Sequence, residues 1–134
     1  MEYVSQLVAS NLLYICWYPT PCENSRPESA FIGELAAYLR DSSGPFYFLS
    51  NLRQGRITDR RTLQALGLLT KHENWGGSAA FSDELVSGAY VNVFTAYASK
   101  KEREIWDTPE DAIAALEVLK PGLTSGIDWK AVIK

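Results

Sequence analysis

Pro45–Thr70 reads PFYFLSNLRQGRITDRRTLQALGLLT. A short apolar run, Phe46-Tyr47-Phe48-Leu49, ends in Ser50-Asn51, passes an arginine-rich turn and enters a helical pattern with Leu63, Leu66 and Leu69 or Thr70 on its apolar side. An apolar run without alternation predicts a strand covered on both faces, as parallel strands are. Thr58 or Asp59 stands where the next helix needs a cap. A buried strand feeding a capped helix is the repeating unit of α/β folds, and the remaining elements are read outward from it.

Upstream, Tyr3–Ala9 and Leu12–Tyr18 are β-prone runs separated by Ser10-Asn11, which predicts an antiparallel hairpin. Pro19-Thr20-Pro21 ends the second strand, because proline has no N–H to give a ladder. Ser25-Arg26-Pro27-Glu28 has the form of a capping box with proline in the first turn. Phe31, Leu35, Tyr38 and Leu39 then share one helix face, and Gly44-Pro45 closes that helix.

Downstream, His72–Gly77 reads as a loop and Ser78–Phe81 as a strand of small residues pressed closely by helices. Ser82 caps a third helix with Val86, Tyr90, Val93, Phe94 and Tyr97 as its buried stripe; Lys100–Arg103 is a charged turn and Glu104–Trp106 a brief strand. Thr108-Pro109-Glu110-Asp111 opens a helix with Ala112, Ala115, Leu116 and Leu119 inward, and Pro121-Gly122 stops it. The order β-β-α-β-α-β-α-β-α predicts an α/β domain: a mainly parallel sheet, an N-terminal antiparallel hairpin at its edge and about four helices. We expect one domain over residues 1–134, with a core of about 3–120. Ile127, Trp129, Val132 and Ile133 predict that the 121–134 tail docks on the body or on a partner.

With 134 residues, 46% of them hydrophobic, the chain is long enough to bury a sizeable core. A net charge of −3 does not favour nucleic acid or an anionic membrane. MEYVSQLVAS lacks a basic start and a long apolar run, and no segment reaches the length of a membrane span, so a cytoplasmic protein is expected. Cys16 in a strand and Cys22 in the loop after it read as buried or idle thiols, with a redox pair as the lesser reading, and two thiols with a single histidine make no convincing zinc site. No cofactor or metal is expected.

In layout the chain resembles the SpoIIAA-like branch of the STAS superfamily. The likeness rests on the N-terminal hairpin, on Phe48-Leu49-Ser50-Asn51-Leu52-Arg53 with its polar strand end before a basic helix start, on the small-residue strand Gly77–Phe81, and on Glu104–Leu119. The resemblance implies a small cytoplasmic domain, often a homodimer, that binds a regulatory protein partner or a small ligand and is not an enzyme. Relatives that act as anti-sigma-factor antagonists carry a phosphorylated serine in a D-S-[ST]-G motif between a strand and a helix. Asp41-Ser42-Ser43-Gly44 has that spelling but ends a helix before Pro45, which is ordinary loop chemistry.

The candidate binding residues are Asn51, Arg53, Arg56, Thr58, Arg60, Arg61, His72, Asn74 and Trp75. Ligands of open α/β sheets bind beyond the carboxyl ends of the parallel strands, and a helix start among arginines suits an anion. The competing reading is a solvated surface with Asp59 as local partner, and no phosphate-cradling glycine loop is present. His72 lacks a nucleophile partner and reads better as a histidine after a helix end; Asn74-Trp75 suits a pocket mouth or an aromatic plug equally. The expected function is therefore a non-enzymatic binding or regulatory domain. The alternatives are a carrier or enzyme for an anionic ligand at the arginine turn, and a component of a larger toxin, sensor or kinase system.

Overall fold

The computed structural model describes residues 1–83, 97 and 105–133. The helix expected from Ser82 through Tyr97 and the turn Lys100–Arg103 fall mostly or wholly outside them. The hairpin forms as β1 (Glu2–Ala9) and β2 (Leu12–Tyr18), antiparallel, with Tyr3 opposite Trp17 and Leu7 opposite Leu13 and an irregularity between Leu7 and Ala9. β2 is buried along nearly its whole length, as the unbroken apolar run LLYICWY requires.

Ser25–Glu28 does not cap a helix. Arg26–Pro27 forms a two-residue strand, β3, antiparallel to Glu2 and Tyr3 of β1. The Ser25 hydroxyl accepts from the Cys22 N–H and donates to Glu2, and α1 (Phe31–Asp41) follows a 3-10 turn with no side-chain cap. Proline fits here because an edge strand needs no donor on its outer side. The Glu28 carboxylate is used elsewhere: it accepts from the Thr58 N–H and hydroxyl (both 3.0 Å) and from the Asp59 N–H (2.8 Å).

β4 (Phe46–Asn51) runs parallel to β2, and after α2 (Arg60–Leu69), capped by Asp59 through the Arg61 N–H, the chain enters β5 (Trp75–Phe81) parallel to β4. The strand order is β3-β1-β2-β4-β5, so the sheet is mixed and not mainly parallel, β3 having added a second antiparallel pair. β5 begins at Trp75, where a loop was expected. Gly76-Gly77 belongs to the strand because there is no room for side chains: a Cβ on Gly76 would lie 2.5 Å from the Tyr47 ring, and one on Gly77, whose φ is 152°, would meet Leu119. The strand expected at Glu104–Trp106 is reduced, among the described residues, to one parallel bridge from Trp106 to Phe81.

α1 and α2 cover one face of the sheet around Tyr3, Ile15, Trp17, Phe31, Leu35 and Phe48. On the other face α3 (Pro109–Leu119) sets Ala112 and Leu116 on Tyr47, Leu49, Ala79 and Phe81. Thr108 caps α3 through the Asp111 N–H, and Pro109 takes the first turn. The tail packs on this second face through Leu123, Ile127, Trp129, Val132 and Ile133, with α4 (Trp129–Val132) as its last turn. Together these make three layers, helices on both faces of one sheet, which is an α/β architecture.

Candidate functional site

Because β2, β4 and β5 are parallel, their carboxyl ends share one rim of the sheet. Asn51 ends β4 there, only 3% exposed; its Nδ2 donates to the Tyr14 hydroxyl (3.0 Å) and its Oδ1 accepts from the Arg53 N–H (3.0 Å). This amide turns the chain out of the sheet and leaves little of itself to a ligand. Arg53 donates from Nε to Asp83 (3.1 Å), and its guanidinium lies 5.2 Å from the Phe81 ring centroid. Arg56 is half-buried, while Thr58, Arg60 and Arg61 are exposed.

The start of α2 carries two carboxylates of the chain itself. Asp59 accepts from the Arg61 N–H, and Glu28 accepts from Thr58 and Asp59. Three N–H groups at this helix start, those of Thr58, Asp59 and Arg61, are thus already used by Glu28 and Asp59.

His72 and Asn74 precede β5 and Trp75 opens it, so all three stand at the opposite rim, about 20 Å away along a six-residue strand. His72 Nδ1 accepts from the Asn74 N–H (3.0 Å). The Asn74 side chain donates to the carbonyls of Leu39 (2.9 Å) and Ser42 (3.2 Å), closing the end of α1. Trp75 stacks on Phe48 with centroids 4.8 Å apart. The nine candidates therefore divide into two groups at opposite ends of the sheet, and Trp75 faces the interior. The Ser42 hydroxyl of Asp41-Ser42-Ser43-Gly44 bridges the C=O and N–H of Gly44, a turn contact.

Three tyrosines in this sheet have raised pKa values. For Tyr14 burial is the main cause, partly offset by the bond from Asn51; for Tyr3 it is burial, then the hydrogen bond to Glu34. The Cys16 side chain, then burial, push Tyr18 to about 12. The unfolded chain ionises its phenols near pH ~10, before the folded chain does. The neutral phenols therefore stabilise the fold fully below that pH, and the contribution is lost as pH rises through the folded values. We expect the urea midpoint to fall above pH ~10, with a shallower fall in Tyr18→Phe; a midpoint flat to pH ~12 would remove the tyrosines from the alkaline limb.

A cavity of about 60 Å³ lies between the sheet and the α1–α2 layer. Trp17, Phe31, Leu35, Phe48 and Trp75 wall it, Ile105 reaches it, and Ser50 and Ser78 contribute to its lining from neighbouring strands. Ala80 continues the small-residue side of β5 into the same space. Its lining contains no acid, base or thiol among the described residues. The sequence signal was present: Ser78-Ala79-Ala80 reads as small residues under tight helices, which holds on the α3 face, whereas on the α1–α2 face small residues leave space.

Comparison with family models, with curated proteins and with solved structures finds no match for the chain.

Proposed function

We propose that this chain is a non-enzymatic binding domain, SpoIIAA-like in layout and cytoplasmic, that serves a regulatory role by holding a small apolar molecule with one hydrogen-bonding group. The observation that carries this reading is the cavity over Ser50 and Ser78, apolar at its walls and polar at two points. Pockets of this make-up bind by excluding water and orient the ligand through few polar groups. The alternative, an anionic ligand at the arginine turn, has less support, because Glu28 and Asp59 already satisfy donors at the start of α2 and Arg53 is paired with Asp83.

Trp17 and Trp75 both line the cavity, so occupancy is read directly by intrinsic fluorescence. With short-chain alcohols from ethanol to butanol as probes, we expect a saturable emission change and a raised melting temperature that peak at a size filling the cavity. Ala80→Leu should abolish both, because its side chain takes the ligand's place. A response that only grows with alcohol length, or that persists in Ala80→Leu, would discard this reading. A melting shift with inorganic phosphate, lost in Arg60→Ala, would favour the anion site instead.

A further inference from the structure

Ser50 is the polar exception on one face of β4. Its side chain shares the α1–α2 face with those of Phe46, Phe48 and Leu52. Register places Ile15 of β2 on one side of it and Ala80 of β5 on the other. A half-buried hydroxyl is thus set in the apolar floor of the cavity. Asn51, Thr70 and Ser82, the buried polar residues, all have partners: Asn51 donates to Tyr14, Thr70 to the Gly67 carbonyl and Ser82 to that of Leu52. Ser78, the other serine of the lining, is also engaged within the chain. Among the described residues, no group hydrogen-bonds to the Ser50 hydroxyl. Folded proteins leave few such groups unmet in their interiors, and each one asks for a reason.

We propose that the Ser50 hydroxyl is the group that selects the cavity's ligand, and that this ligand is a small uncharged alcohol. This rests on the cavity being a binding site, and adds which of its two serines discriminates and by what chemistry. A water on the hydroxyl would be poorly held. Apart from Ser50 and Ser78, every side chain of the lining is aliphatic or aromatic. The backbone groups of the floor are committed to the ladders that join β2, β4 and β5. A buried water needs about two to four polar partners, and one with fewer yields readily to a ligand that brings its own polar group.

The chemistry of the site narrows the ligand further. A serine hydroxyl both donates and accepts, and an alcohol answers both functions, where a ketone or an ether only accepts. The walls exclude charge: no cation or anion among the described lining residues pairs with a carboxylate or an ammonium, and an unpaired charge is costly to bury. The volume of about 60 Å³ limits the apolar part to a short chain. An unmet hydroxyl on an apolar floor destabilises the empty protein, a trade that binding sites commonly make.

Titration of Trp17 and Trp75 emission tests the assignment, with 1-butanol and with 1-fluorobutane, which has its shape but no hydroxyl hydrogen to donate. Ser50→Ala is expected to weaken butanol binding about two- to tenfold relative to fluorobutane, as the loss of one neutral hydrogen bond does. Ser78→Ala should move both ligands by one common factor. Butyrate, of the same chain length but charged, should leave the emission unchanged. Without ligand, Ser50→Ala should melt no lower than the unmodified chain, because no hydrogen bond within the protein is lost. Equal factors for the two ligands in Ser50→Ala, a butanol-specific loss in Ser78→Ala, binding of butyrate, or a clear drop in the ligand-free melting temperature overturns the assignment and leaves the cavity a binding site. If neither neutral compound changes the emission of the unmodified chain, the binding reading falls and the assignment falls with it.

Discussion

Phe48→Ala is expected to lower the unfolding free energy by about 3–5 kcal/mol. Phe48 lies in the middle of β4, 2% exposed, with its ring 5.2 Å from Phe46 and stacked at 4.8 Å on Trp75. Truncation removes the transfer free energy of a buried aromatic and leaves a hole that strands on both sides hold open. Phe48 also walls the cavity, so the new space joins one that is already there. A domain of this size has a margin of roughly 5–15 kcal/mol, and the variant should sit near its lower limit. Urea denaturation followed by far-UV circular dichroism measures the loss. Phe48→Leu should recover much of it; a loss below about 1 kcal/mol for the alanine variant would mean that Trp75 moves in to fill the site.

Gly76→Ala is expected to cost about 1–3 kcal/mol, as overpacking does. The added methyl would stand 2.5, 2.6 and 2.8 Å from Cζ, Cε1 and Cε2 of Tyr47, a ring 5% exposed under α3 and thus not free to swing aside. If the Tyr47 ring is the obstacle, shortening it relieves the clash. In a double-mutant cycle, Tyr47→Leu with Gly76→Ala should lose clearly less than the sum of the two single changes. Strict additivity in equilibrium unfolding would place the strain in the backbone of β5 instead.

Local chemistry made much of the fold readable. The turn at Ser10-Asn11, the caps at Asp59 and Thr108, and the unbroken apolar runs of β2 and β4 each declare their element within a few residues. What escaped depends on partners far away in the chain. Arg26-Pro27 has the local form of a helix start and becomes a strand because β1 lies beside it. Gly76-Gly77 has the composition of a loop and is strand because Tyr47 and Leu119 need the space.

The candidate site was legible only as chemistry. Arg53 and His72 are neighbours in a list of polar loop residues, yet one follows a parallel strand and the other precedes one, which sends them to opposite rims. Asn51 and Asn74 look like ligand-binding amides and spend their hydrogen bonds on the backbone and on Tyr14. The cavity residues Ser50, Ser78 and Ala80 gave no polar signature in sequence, because what matters at those positions is the volume they leave unfilled.

The Glu28 carboxylate joins the approach to α1 with the approach to α2 through three hydrogen bonds from Thr58 and Asp59, across about thirty residues of chain. In mechanical terms, α1 and α2 are bolted at one corner and form a single plate. The cavity beneath is bounded above by that plate and below by a rigid sheet, so its volume changes chiefly when the plate tilts as a unit. Anything lodged over Ser50 and Ser78 would act on both helices through one lever, with the Glu28 corner as its pivot.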